Sequence, residues 1–165
     1  MERRATFERL YEANYELILA YALRRATTPE DAADVVAETF LVAWRRLDQV
    51  PSGDGSRLWL FGVARMVLAN QHRGQRRRER LGARLLAHAA PEAYSPRAPG
   101  TDGVAAVFGG LSEEDKEVLT LVAVEGLTPR EVAVVLGVTA VTARVRLHRA
   151  RSRFAARLRA EGIDP

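Results

Sequence analysis

The sequence predicts an all-α protein made of two small helical domains joined by a flexible linker. Three observations carry this. No stretch alternates apolar and polar residues as a half-buried strand would, whereas apolar residues recur at helical spacing along most of the chain. Ser and Thr stand in front of acidic first turns at several places, the signature of capped helix starts. Between the helical stretches, residues 89–110 hold Pro91, Pro96 and Pro99 with Gly100, Gly103, Gly109 and Gly110, a composition that resists packing and suits a tether. The expected division is 1–88, a linker over 89–110, and 111–165.

The first helix is expected over 7–25, where Phe7, Leu10, Tyr11, Ile18 and Tyr21 share a face with Asn14 among them. Thr27-Thr28-Pro29 breaks it. Thr28 can cap the next helix, Pro29 suits its first position, and Asp31 stands where a capping box wants an acid. That helix is expected over 29–47 with Ala32, Val36, Phe40, Ala43, Trp44 and Leu47 as its apolar stripe. Pro51-Ser52-Gly53-Asp54-Gly55-Ser56 reads as a loop. A third helix over 57–80 carries Leu58, Phe61, Ala64 or Arg65, and Leu68, and then turns basic through Arg73, Arg76, Arg77, Arg78 and Arg80. Residues 84–88 can prolong it. In the second half, Ser112 caps a helix over 113–125 with Asp115 closing the box and Leu111 as a staple, and Gly126 ends it; Thr128-Pro129-Arg130-Glu131 opens one over 129–136 as another capping box, and Thr139 caps a last one over 140–158.

Charge follows the same division. The 165 residues carry a formal net charge of +4, and 24 of the 25 cations are Arg. Residues 1–56 hold seven Arg and ten acids, a net −3. Residues 57–90 hold eight Arg and one acid, a net +7. Residues 91–143 come to −5 and residues 144–165 to +5. Two separated basic ends suggest two contacts with a polyanion, although arginine-rich helices can also be solvated surfaces.

Several function classes are poorly supported. The absence of cysteine excludes disulfides, thiolate nucleophiles and cysteine-ligated metal, and fits a reducing compartment. Met1-Glu2-Arg3-Arg4 has no apolar segment behind it, and nothing reaches the roughly 18 apolar residues of a membrane span. A cytoplasmic protein without membrane contact is expected. Asp31, Asp34 and Glu38 share a helix face, but His72, His88 and His148 are scattered, so no metal site is expected, nor any cofactor. No catalytic triad order, phosphate loop or nucleotide fingerprint is present, and the chain does not read as an enzyme.

Residues 129–148 carry the most informative motif. Ala133 is small where two helices cross, Gly137 suits a tight turn, Val138 faces the angle between the helices and Ala143 packs beneath. Thr139, Thr142, Arg144, Arg146, His148 and Arg149 are left outward. This is a helix-turn-helix pattern, whose second helix reads base edges while flanking cations hold phosphates. A plain helical hairpin is the alternative. Upstream, Trp59 and Phe61 precede a basic helix with Asn70 and Gln71, which suits stacking on single-stranded bases, although each aromatic alone fits a core equally well.

Tyr11-Glu-Ala-Asn-Tyr15, the run Asp31 to Arg45, Trp59-Leu-Phe-Gly-Val-Ala-Arg65, Leu111-Ser-Glu-Glu-Asp115, Gly126-Leu-Thr-Pro-Arg-Glu-Val-Ala133 and the run Arg144 to Arg151 together resemble a bacterial extracytoplasmic-function (ECF) sigma factor of RNA polymerase. The resemblance covers about 7–80 and 111–158 and implies sigma regions 2 and 4. It implies docking on the β′ clamp helices of core RNA polymerase by Asp31, Asp34, Val35, Glu38, Thr39, Val42 and Arg45. It implies contact with a melted minus-ten element by Ser52, Gly53, Asp54, Ser56, Arg57, Trp59, Arg65, Met66, Asn70, Arg73, Arg76 and Arg77. It implies duplex minus-thirty-five recognition by Arg130, Thr139, Ala140, Thr142, Arg144, Arg146, His148 and Arg149, contact with the β flap, and an anti-sigma factor as a further partner. Ala37 stands where the family usually has Gln, Met66 where it often has Asn, and Gly62 and Val145 where polar residues are more usual. The rival reading is a stand-alone regulator with a LuxR-type DNA-binding domain, which would need a sensor or receiver domain in the first half, where 1–80 instead shows the aromatic and basic helix.

Overall fold

Seven α-helices and one short 3-10 turn make up the described part of the chain: α1 (Glu2–Leu23), α2 (Pro29–Arg45), the 3-10 turn Leu47–Gln49, α3 (Asp54–Leu85), α4 (Gly103–Gly109), α5 (Glu113–Ala123), α6 (Pro129–Leu136) and α7 (Ala140–Ala160). The computed structural model describes residues 2–85 and 103–163. The chain divides into two compact units, Met1–Glu92 and Ala93–Pro165.

In the first unit α1, α2 and α3 pack pairwise against one another. Their shared core is Ile18, Tyr21 and Ala22 from α1, Ala32, Val35, Val36, Phe40 and Ala43 from α2, and Leu58, Leu60, Phe61, Ala64 and Leu68 from α3. Tyr21 and Phe61 are its largest fully buried side chains, with ring centroids 5.1 Å apart. Helix α1 begins five residues earlier than the spacing predicts. Its exposed first turns carry an Arg4–Glu8 pair at 2.8 Å, and Phe7 meets Trp44 edge-on at 5.2 Å. The Phe7–Trp44 contact ties the first turns of α1 to the end of α2. Trp44, expected in the apolar stripe, is 38% exposed at this edge, with the Arg3 guanidinium 5.3 Å from its ring centroid and donating to its backbone carbonyl. The buried Asn14 is satisfied locally, its amide donating to the Leu10 carbonyl at 2.9 Å.

Thr28 caps α2 as expected, accepting from the Asp31 amide at 3.1 Å. The loop read over 51–56 is shorter. Helix α3 already starts at Asp54, because the Ser56 hydroxyl and amide both bond the Gly53 carbonyl and close the first turn early. Gly55 is required there, since a Cβ would come within 2.8 Å of Pro51 Cβ. The helix then runs 32 residues, about 48 Å. Its end at Leu85 includes the first part of the expected prolongation, and 86–88 lie outside the described residues.

In the second unit α4, α5 and α6 each pack on α7. Helix α4 is a correction. Residues 103–109 are expected in the linker, yet Val107 is buried and Phe108 meets Phe154 of α7 edge-on at 5.9 Å. The apolar spacing of Val104, Val107 and Phe108 outweighs the flanking glycines. The remaining linker residues 89–102 lie outside the described residues. Ser112 caps α5, but Asp115 does not close a box with it. The Asp115 carboxylate is buried and receives both bonds from Arg153 of α7, at 2.8 and 3.0 Å. Thr128 and Glu131 form the full reciprocal capping box of α6. Gly137 ends α6 at φ 65°, a left-handed conformation in which its own amide and that of Val138 recover the last carbonyls of the helix.

Two stability effects follow. Phe61→Ala leaves a cavity among three helices and should cost about 3–5 kcal/mol, read by urea unfolding of the full chain. Arg153→Ala leaves the Asp115 carboxylate buried without its cation. It should cost about 1–2 kcal/mol, at the lower end for such losses because Arg153 is half exposed.

Candidate functional site

The structure sorts the candidate residues by the helix face they occupy. On α3 the buried stripe is Leu58, Phe61, Ala64 and Leu68. Trp59, Met66, Asn70, Arg73 and Arg77 follow one another at spacings of seven, four, three and four, so they form a stripe on the opposite face. Trp59 is half-buried, and Met66, Asn70, Arg73 and Arg77 are exposed. The Arg73 guanidinium donates to the Asn70 side-chain oxygen, which orients both toward the same side. Arg65 and Arg76 flank this stripe, with Arg65 partly covered. Phe61 is a correction to the stacking reading: it is 1% exposed and belongs to the core. Ser52, Gly53 and Asp54 are exposed at the start of α3, while Ser56 and Arg57 are half-buried in its first turn.

Helix α2 divides the expected docking residues in two. Val35 and Thr39 are fully buried, and the Thr39 hydroxyl donates to the Val35 carbonyl at 2.7 Å. They are core residues and offer no surface to a partner. Burial decides this because their positions fall on the stripe of Ala32, Val36 and Ala43. Asp34, Glu38 and Arg45 are exposed, and Asp31 and Val42 are partly so. Asp34, Glu38 and Val42 line a groove of about 630 Å³ between α2 and α3, together with Ala37, Leu41, Val63, Met66, Val67 and Asn70. The groove thus brings residues expected at two different contacts, polymerase docking and the minus-ten strand, onto one surface. Leu41, Val63 and Val67 do not stand out in the sequence; each lies three residues from a groove residue on its own helix, Glu38, Met66 and Asn70 respectively, and that spacing is the signal that would find them. At its upper end Asp31 and Asp34 also line a polar cleft with Thr27, Gln71, His72, Gln75 and Arg78. Among the described residues no three His, Asp or Glu side chains gather as metal ligands, and no helix is long and apolar enough to cross a membrane.

In the second unit α6, the turn at Gly137 and α7 form a helix-turn-helix. Ala133 and Ala143 are both buried at its crossing. Thr139 caps α7, accepting from the Thr142 amide at 3.1 Å, and the two hydroxyls lie 2.8 Å apart. Their oxygens are therefore already engaged at the helix start. Buried Ala143, Leu147, Ala150 and Leu158 define the inward stripe of α7. Exposed Val141, Val145, His148 and Ser152 run opposite to it, with Arg144 and Arg151 on one flank and Arg146 and Arg149 on the other. Arg130 and Ala140 are exposed at the starts of α6 and α7. Arg151, seven residues after Arg144, joins the face without being a candidate from the sequence; the heptad spacing is the signal that would find it.

Comparison with known proteins bears on the whole chain. The family model described as Sigma-70 region 2 matches residues 10–78, and that described as Sigma-70, region 4 matches residues 104–154. The first of these fills the half in which a two-domain regulator would need a sensor. The chain is 32% identical to RNA polymerase sigma factor CnrH of Cupriavidus metallidurans over 162 residues, covering 90% of this chain and 85% of CnrH. It is 30% identical to the ECF RNA polymerase sigma factor SigL of Mycobacterium tuberculosis, covering 87% and 84%. The solved structure of CnrH in complex with the cytosolic domain of CnrY superposes with a TM-score of 0.61 at 27% identity, covering 93% of this chain and 88% of that one. The fold is also that of the sigma factor RpoE of Bartonella quintana, solved with the anti-sigma factor NepR, at a TM-score of 0.62 and 23% identity over 93% and 96% of the two chains. With regions 2 and 4 in order and relatives matched over most of their length, the chain belongs to the ECF sigma factors of RNA polymerase and is a promoter-recognising transcription factor.

Proposed function

We propose that the two units divide promoter recognition between them, with unit Met1–Glu92 holding core RNA polymerase and the melted minus-ten strand, and the helix-turn-helix holding the minus-thirty-five duplex. The observation that carries this is the placement of aromatic, amide and arginine side chains along one outward stripe of α3: Trp59, Met66, Asn70, Arg73 and Arg77. A single strand offers stacked bases on one side and phosphates on the other, and this stripe offers both kinds of partner. Ser52, Gly53, Asp54, Ser56 and Arg57 stand at the entry to the stripe, and Arg65 and Arg76 flank it.

Docking on the β′ clamp helices falls to Asp31, Asp34, Glu38, Val42 and Arg45, without the buried Val35 and Thr39. The groove that Asp34, Glu38 and Val42 share with Met66 and Asn70 is also where an anti-sigma factor blocks polymerase and promoter together. The capture of CnrH with CnrY and of RpoE with NepR supports such a partner here. Region 4 reads the minus-thirty-five element with the outward face of α7, helped by Arg130, and touches the β flap. The protein then works inside the cell as a binding factor with no catalytic step of its own.

Reconstitution with core RNA polymerase on a promoter library tests the division. Promoter-specific initiation that requires core is the expected result; tight duplex binding without core and no initiation would refute it. Trp59→Ala should lower open-complex formation roughly tenfold, since base stacking on an aromatic is worth about 1–3 kcal/mol, while closed-complex binding stays nearly unchanged. Permanganate reactivity of melted thymines reads this directly. Replacing Arg144 and Arg149 with Ala should weaken minus-thirty-five dependence and reduce the salt slope of binding by about 2, since each arginine removed leaves one phosphate without its cation.

A further inference from the structure

The outward face of α7 carries an apolar feature that phosphate binding leaves unexplained. Val141 is 61% exposed and Val145 is 42% exposed. They lie one helical turn apart, in the first two turns of α7, on the line opposite the buried stripe Ala143, Leu147 and Ala150. Arginines border them on both sides, Arg144 on one and Arg146 and Arg149 on the other. The charged rows are thus placed to meet the two phosphate strands that border a major groove, and the valines lie between them, where the base edges are.

A valine side chain has no donor and no acceptor, so it cannot answer any hydrogen-bonding group on a base edge. The major groove exposes one apolar group, the C5-methyl of thymine. We infer that Val141 and Val145 are specificity-determining residues that select thymine in the minus-thirty-five element by contact with its methyl group. The inference rests on α7 being the recognition helix. It extends that reading by assigning the base and the chemical group being read. Thr139 and Thr142, whose hydroxyls are engaged with each other and with the start of the helix, leave the central base positions to the valines.

The test uses the full chain with core RNA polymerase. Selection from a promoter library randomised at minus-thirty-five first gives the preferred element. Each thymine on either strand is then replaced by uracil, which removes only the methyl. At one or two positions this should weaken holoenzyme binding about fourfold, the factor that burial of one methyl corresponds to. In Val141→Ala or Val145→Ala the same uracil should have little further effect, whereas it should keep its full effect in Arg144→Ala. The inference is overturned if the selected element holds no thymine, or if uracil is tolerated everywhere by the unaltered protein. A valine phenotype that ignores the thymine methyls would equally overturn it and assign the patch to a protein contact. If Arg144→Ala and Arg149→Ala leave minus-thirty-five dependence intact, the recognition-helix reading itself falls. If they weaken it while uracil is silent, only the thymine assignment falls.

Discussion

Each unit depends on a long cationic helix that can bury only a narrow stripe. Helix α7 carries seven arginines in 21 residues, and an unpaired guanidinium cannot be buried without a large desolvation cost. The helix is held by Ala143, Leu147, Ala150 and Leu158, all small or aliphatic and all in one line. Helix α3 solves the same problem over a longer span, with its core packing confined to the half between Leu58 and Leu68 among residues whose burial is described. Partial burial is what makes the outward face of each helix available. A helix buried all round would be more stable and would have nothing to present to a nucleic acid.

The arginines therefore split into two populations that composition cannot separate. Arg3 sits on Trp44 and its carbonyl, Arg25 stacks 3.6 Å over the Tyr21 ring, Arg153 neutralises the buried Asp115, and Arg157 donates to the Gly110 carbonyl. Arg3, Arg153 and Arg157 join segments far apart in sequence, and Arg25 covers a core ring at the end of α1. Arg73, Arg77, Arg144, Arg149 and Arg151 project from faces that do not meet the core. A block charge of +7 or +5 counts both populations alike. Two polyanion-binding faces are better supported once the structural arginines are set aside.

Much of the fold was legible because local chemistry was strong. Thr28, Ser112, Thr128 and Thr139 each cap the helix whose start they mark, and Gly137 takes the left-handed conformation its place between two helices requires. Local signals mislead where packing from far along the chain outweighs them. Gly103, Gly109 and Gly110 suggest a tether, yet Val107 and Phe108 find partners in the second unit's core. Asp115 has the place of a capping acid, but a residue 38 positions away claims its carboxylate.

The sequence by itself determined that the protein is helical, where most helices begin, that it has a helix-turn-helix, and which family its motifs resemble. These are properties of near neighbours along the chain, fixed by capping, by helical period and by residue order. Only the tertiary structure decided which residues of a face are surface. It buried Val35, Thr39 and Phe61, joined Glu38 to Met66 in one groove, and left Val141 and Val145 outward between arginines. Burial depends on which helix packs against which, and that is settled between residues far apart in sequence, which no local pattern encodes.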